Sequence, residues 1–229
     1  MKTTNGLSPS WSGAQPAELA VWAAELEHAP AEDVITWAVG RFGGSLSLAC
    51  SFQDCVIIDL AVKVDPRIEV VFLDTGFHFE ETLSFVDEVA ASYDLNLRVV
   101  RPGDEADSWP CGSEKCCQLR KVAPLDRVLA GRGAWMTAVK RCDSPTRVLT
   151  PVLGWDPSHA MVKVNPLALW THQDVDDYIA EHSLPSHPLV SRGYLSIGCA
   201  PVTSPVAAGA DPRSGRWAGS KKTECGLHS

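Results

Sequence analysis

The chain of 229 residues is 45% hydrophobic and 21% charged, a size and balance that let one α/β domain bury a sizeable core. Its formal net charge of −8 argues against a nucleic-acid partner, whose phosphates demand a basic surface. No apolar run is long enough to span a membrane, and eight cysteines without loop-closing spacing favour thiol or metal chemistry in a reducing compartment over a disulfide scaffold. The first residues, MKTTNGLSPSWSGAQPAEL, carry neither an apolar signal core nor an Arg-rich amphipathic face, so the expectation is a cytoplasmic protein.

In chain order, a Pro/Ser/Gly-rich leader over 1–30 precedes a short apolar strand, SLSLA (45–49), a turn CSFQD, and a helical stretch over 54–64. IEVVFLD (68–74) predicts a second strand. The helix that follows places Leu83, Phe85, Val86, Val89 and Ala90 on one face. LNLRVV (95–100) is a third strand, a long helix spans about 116–132, AWMTAV (134–139) is a fourth strand and MVKVNPL (161–167) a fifth. THQDVDDYIAEH (171–182) predicts a helix with Thr171 as N-cap and Asp174 at the third helical position. From Leu184 onward Pro, Gly and Ser dissolve the pattern, and 193–229 read as a loop-rich C-terminal tail of one single domain covering 1–229. Alternating strands and helices predict a doubly wound, mostly parallel sheet, with ligands bound where SLSLA, VVFLD and WMTAV end.

Basic residues gather at Arg120, Lys121, Lys140, Arg141 and Arg147, and again at Arg213, Arg216, Lys221 and Lys222, a distribution suited to a compact anion. ACSFQD (49–54) joins a strand to a helix, where backbone N–H groups and the helix dipole hold phosphate, although many such turns are only structural. DSPTR (143–147) and DPRSGRW (211–217) put arginines, whose planar fork matches phosphate or sulfate oxygens, into loops that singly read as solvated surface. The adjacent thiols of CCQLRK (116–121) suit an iron–sulfur cluster or another soft-metal site. SIGCAPV (196–202) offers Cys199 but Val202 where a CxxC pair would end. Cys50 and Cys55 read as packing residues. His78, His159, His172, His182 and His187 show no ligand spacing and read as surface or helix-end residues. Cys225 stands in the terminal TECGLHS. Neighbouring cations raise the thiolate fraction of an ordinary thiol, and a mobile tail can carry such a nucleophile onto an anion held by arginines.

Taken in order, CSFQD, FLDTGFHFEET, CCQLRKVAPL, DSPTR, YLSIGCAP, GADPRSGRW and KTECGLH resemble the assimilatory adenylyl-sulfate (APS) and phosphoadenylyl-sulfate (PAPS) reductases of the bacterial iron–sulfur class, over about residues 30–229. The resemblance implies an adenine nucleotide alpha hydrolase-like fold. It further implies nucleotide contacts from Ser51, Leu73, Thr75 and Gly76, phosphosulfate binding by Lys121, Arg147, Arg213, Arg216 and His228, and Cys225 as nucleophile. The implied reaction is thioredoxin-dependent reduction of APS to sulfite and AMP through an enzyme S-sulfocysteine, in sulfate assimilation and cysteine biosynthesis. PAPS reduction, or nucleotide binding without turnover, are the alternatives. The implied cofactor is a [4Fe-4S] cluster on Cys116, Cys117 and Cys199, and small homo-oligomers are implied as well. Two departures from the family pattern stand out. Val202 occupies the fourth ligand position, which leaves a substitute such as Cys111 or Cys142, an open iron, a three-iron form or no cluster. In TAVKRCDSPTR (137–147), Ala138 replaces a glycine and Lys140 an arginine; a methyl group crowds backbone approach to a ligand, and lysine lacks the fork.

Overall fold

A computed structural model describes residues 16–220 and 222–227. Strands β1 (Leu46–Ala49), β2 (Glu69–Leu73), β3 (Leu97–Val100), β4 (Ala134–Thr137), β5 (Leu153–Asp156) and β6 (Met161–Val164) form one sheet in the order β3-β2-β1-β4-β6-β5. All neighbours are parallel except β5, which pairs antiparallel with β6 at the edge. Every residue of Leu46–Leu48 and of β4 is buried, which requires cover on both faces and mostly apolar runs. The two polar residues within them are paired inside, Ser47 Oγ donating to Glu69 Oε2 and Thr137 Oγ1 to Asn165 Oδ1, each at 2.7 Å. β3 closes the other edge with Arg98 and Val99 exposed, and Arg98 reaches Glu69 at 3.6 Å. The chain turns one way from β1 to β2 and β3 and the other way to β4, so the carboxyl ends of β1 and β4 flank the topological switch point.

The helices are α1 (Pro16–Leu26), α2 (Ala31–Phe42), α3 (Val56–Val64), α4 (Glu80–Tyr93), α5 (Glu114–Cys117), α6 (Ala123–Leu129) and α7 (His172–Glu181). α1 lies inside the 1–30 stretch read as a leader. The reading also lacked β5, four residues whose pairing with β6 supplies order that LGWD does not signal alone. The single long helix expected over about 116–132 is three pieces, because α5 passes through a π-helical turn, Gln118–Val122, into α6. Pro124 explains the break: it has no N–H for the Arg120 carbonyl and its ring crowds that group, so the ladder widens. α7 forms as expected, with Thr171 Oγ1 accepting from Asp174 N at 3.1 Å and Asp174 Oδ2 accepting from Thr171 N at 2.7 Å.

On α4 the buried residues are Thr82, Phe85, Val86 and Val89, whereas Leu83 is exposed. A polar residue goes inside because its hydroxyl has a buried partner: Thr82 Oγ1 lies 3.0 Å from His187 Nε2. His187 is therefore a core residue and not a surface one, and its Nδ1 accepts from Leu189 N at 3.2 Å. Protonating Nδ1 would set its N–H against the Leu189 N–H. Burial pushes the imidazolium pKa down to about 4, with Glu81 opposing only weakly. Because the folded value lies below the unfolded one, the unfolded chain takes the proton first, and stability falls as pH drops from about 6.5 toward 4, by about 3 kcal/mol at most. Urea unfolding at pH 7, 5.5 and 4.5 should show this loss in the wild type and a shallower one in His187→Gln. Equal slopes in both proteins would contradict the assignment.

Candidate active site

A cleft opens at the switch point, beyond the ends of β1, β2 and β4. Ser51, Leu73, Thr75, Lys121, Arg147, Arg213, Arg216 and Cys225, all singled out from the sequence, line it. Gly76 does not. It turns the chain at φ +72° with its N–H on Asp74 Oδ1, and a Cβ there would sit 3.3 Å from Arg120 Nη1, so it serves the turn and the passage of Arg120. His228 and Lys221 lie outside the described residues.

The β1 turn is set by Phe52, which takes φ +55° and buries its ring edge-on against Phe72. Ser51 is left exposed at the mouth, and Asp54 Oδ1 accepts from Val56 N at 3.1 Å at the start of α3. Burial pushes the Cys50 and Cys55 thiols up to about 12, so both stay protonated packing groups. Ala138 and Lys140 line the cleft at the end of β4. Lys140 is buried beside Asp143, Nζ to Oδ1 3.4 Å. Arg120 serves the fold instead, donating to the Thr75 carbonyl and pairing with Asp107, while Arg141 holds the Thr150 carbonyl.

The tail is laid over this cleft by a short ladder: Thr203 bridges Arg216, Ser204 N donates to Gly215 O at 2.9 Å, and Trp217 N donates to Val202 O at 2.9 Å. Gly215 permits it, since a Cβ there would lie 2.0 Å from Ser204 O. Arg216 then passes over Gly198, where a Cβ would meet its guanidinium at 2.2–2.8 Å, and Nη1 donates to Ile197 O at 3.1 Å. Gly198→Ala should displace Arg216 while moving stability by less than about 1 kcal/mol, because the obstructed atoms end a flexible side chain. If Arg216 holds the phosphosulfate, as the resemblance implies, the variant binds AMP about 10-fold more weakly by calorimetry with an unchanged melting temperature; full affinity would remove Arg216 from that role.

Two residues that sequence reasoning missed fix the tail. Gln53 Oε1 accepts from Ile197 N at 3.0 Å, tying the β1 turn to the 195–197 loop. Glu224, the neighbour of Cys225, receives the fork of Arg147, Nε to Oε1 3.0 Å and Nη2 to Oε2 2.8 Å, together with Ser144, Thr146 and Arg213 at 3.3 Å. Burial pushes the Glu224 carboxyl up, but Arg147 and Arg213 outweigh it and hold it below its ordinary range. A carboxylate thus sits on the arginines where an anionic ligand group would sit.

Behind the cleft lies a second, smaller pocket lined by Cys111, Cys116, Cys117, Cys199 and Val202, with Thr75, Lys121 and Trp217 shared between the two. Ser113 Oγ caps α5 by accepting from Cys116 N at 3.1 Å, fixing the adjacent thiols. Lys222 Nζ donates to Cys117 Sγ at 3.0 Å, and Thr75 Oγ1 lies 3.5 Å from Cys199 Sγ. Burial works to strip the Lys121 ammonium of its proton, but the Cys225 and Cys199 sulfurs outweigh it and raise its pKa. Lys121 therefore stays charged between the two pockets. Cys111 and Cys199 share this pocket, and their mutual interaction raises the pKa of the Cys111 thiol and lowers that of the Cys199 thiol. Of the histidines, His78 and His172 line the cleft, and His159 is tied to Asp156 at 2.7 Å.

The chain matches the family described as phosphoadenosine phosphosulfate reductase domain over residues 45–205. An adenosine 5'-phosphosulfate reductase of Mycolicibacterium smegmatis is 46% identical across 90% of this chain and 91% of the relative. One of Mycobacterium tuberculosis is 45% identical across 90% and 92%. Among solved structures, a phosphoadenylyl-sulfate reductase of Candida auris superposes with a TM-score of 0.73 at 27% identity, covering 85% of this chain and 98% of that one. An FMN adenylyltransferase of Candida glabrata, at 14% identity and TM-score 0.58 over 85% of this chain and 69% of that one, shares the fold alone. With its sheet order, its cleft at the switch point and these relatives, the chain belongs to the phosphoadenosine phosphosulfate reductase domain family.

Proposed function

We propose that this protein reduces adenylyl sulfate to sulfite and AMP, with Cys225 as nucleophile and a dithiol protein of the thioredoxin kind as reductant. The observation that carries the reading is the placement of the Cys225 thiol in one cleft with Lys121, Arg147, Arg213 and Arg216. In this reading Ser51, Leu73 and Thr75 contact the nucleotide, and Lys121 and the arginines bind the phosphosulfate after exchanging Glu224 for it. The Cys225 thiolate attacks the sulfate sulfur, the bond from that sulfur to the phosphate oxygen breaks, and AMP leaves with the electron pair. Cys225 then carries S-sulfocysteine. A thiolate of the reductant attacks Cys225 Sγ, sulfite departs with the S–S electron pair, and the second reductant thiol resolves the mixed disulfide, so the dithiol supplies both electrons. The relatives at 45–46% identity favour APS over PAPS, and the thiol-rich composition favours a cytoplasmic setting. Among the described residues no helix is long and apolar enough to cross a membrane.

The donor set of the smaller pocket fits a [4Fe-4S] cluster. Four thiols converge there, Lys121 and Lys222 offset negative charge, and the buried donors Arg120 Nε and Trp217 Nε1 have no partner among the described residues. When bound, the cluster would supply electrostatic stabilisation for an anionic substrate, the electrons coming from the dithiol. The function is tested by sulfite release in anaerobic assays with thioredoxin, thioredoxin reductase and NADPH. A kcat/KM for APS well above that for PAPS is expected; inert APS with robust PAPS turnover would reassign the substrate, and nucleotide binding without sulfite from either would remove the enzyme reading.

A further inference from the structure

The family pattern asks for a thiol at position 202, and this chain has valine there. We propose that Cys111 replaces the missing thiol, completing with Cys116, Cys117 and Cys199 a four-thiolate set for an iron–sulfur cluster. Val202 and Cys111 line the same pocket, so the position that lost its sulfur and the residue that brings one are neighbours around a single space. Gly112 makes this approach possible: its φ of +92° is open to glycine, and a Cβ there would stand 2.8 Å from Val202 Cγ1. The backbone beside Cys111 is therefore pressed onto the Val202 side chain. Cys111 and Cys199 both line that pocket.

The pocket also shows what it would hold. Arg120 and Trp217 are 7% and 5% exposed, both line it, and Arg120 Nε and Trp217 Nε1 find no acceptor among the described residues. Leaving such donors unpaired is costly, and inorganic sulfide and thiolate are acceptors of the right softness and charge. Cys142, the other candidate from the sequence, is exposed, gives its S–H to the Trp170 carbonyl at 3.3 Å and lines neither pocket. It stands instead near Asp143 and His172, and Asp143 is already paired with Lys140 and Arg147.

The inference rests on the reductase reading only for the kind of group bound, and its test does not use turnover. Full-length wild type, Cys111→Ser, Cys142→Ser and Cys111→Ser/Val202→Cys are purified without oxygen and reconstituted with ferrous iron and sulfide. Iron, acid-labile sulfide and Mössbauer spectra are then read, with circular dichroism to check folding. Wild type and Cys142→Ser should hold about four irons per chain. Cys111→Ser should fall to a three-iron or iron-free form, and the double variant should recover four, because it moves the sulfur to the family's position. A Cys111→Ser protein with full iron and an unchanged spectrum overturns the proposal. So does a wild type that carries zinc, or a Cys111–Cys199 disulfide, in place of the cluster. A cluster of the expected kind in a protein whose Cys225 never acquires a sulfo group would overturn the reductase reading and leave this one standing.

Discussion

Cys225→Ser is expected to bind AMP and APS about as tightly as the wild type and to lose sulfite formation by at least about 10⁴-fold. The reason is chemical. A serine hydroxyl is far less acidic than a thiol and has no base beside it in the cleft that the structure pairs with position 225. The change removes one atom's reactivity from a half-buried tail residue that carries no described hydrogen bond of its side chain, so neither the fold nor the basic lining should move. Calorimetry with AMP and a sulfite assay give the two halves of the result. Retained turnover, or retained S-sulfo adduct, would remove Cys225 from the mechanism.

Arg147→Ala should weaken AMP and APS binding by about 10- to 100-fold, the range of a charge-assisted hydrogen-bonded pair. Arg147 spends Nε and Nη2 on Glu224 and Nη1 on Asp143 at 3.1 Å, and it lines the cleft. Its loss leaves Glu224 to Arg213 and two hydroxyls, so the tail should loosen as well, seen as faster cleavage after residue 217 in limited proteolysis. Arg147→Lys keeps the charge without the fork and should recover less than about 10-fold of the affinity. Unchanged affinity in Arg147→Ala would place the anion elsewhere. Glu224→Gln separates the two roles, since it frees the arginines without removing them.

Much of the frame was legible because parallel strands buried on both faces are mostly apolar, as LSLA, VVFL and AWMT are but for Ser47 and Thr137, whose hydroxyls are paired inside. β5 was not, because its order comes from pairing with β6, and the break in the 116–132 helix needed the consequence of Pro124 to be weighed against a helical pattern. Leu83 and Thr82 exchanged sides because a buried histidine distant in sequence satisfies the threonine. In the site, the arginines and Cys225 stand in loops whose residue types announce anion chemistry. Glu224 carried no such signal, since an acid in a terminal stretch is most often solvated. Cys111 and Cys142 looked equivalent in sequence, and only packing around Val202 separates them.

Turnover depends on a covalent step at Cys225, and intact mass spectrometry tests that step most directly. Anaerobically purified wild type is incubated with APS in the absence of any thiol reductant, and the modified peptide is mapped. A mass gain of one SO₃ group on the peptide bearing Cys225, removed on adding reduced thioredoxin with release of sulfite, is the predicted result. An unmodified Cys225 while sulfite still forms, or an adduct on another cysteine, would contradict it.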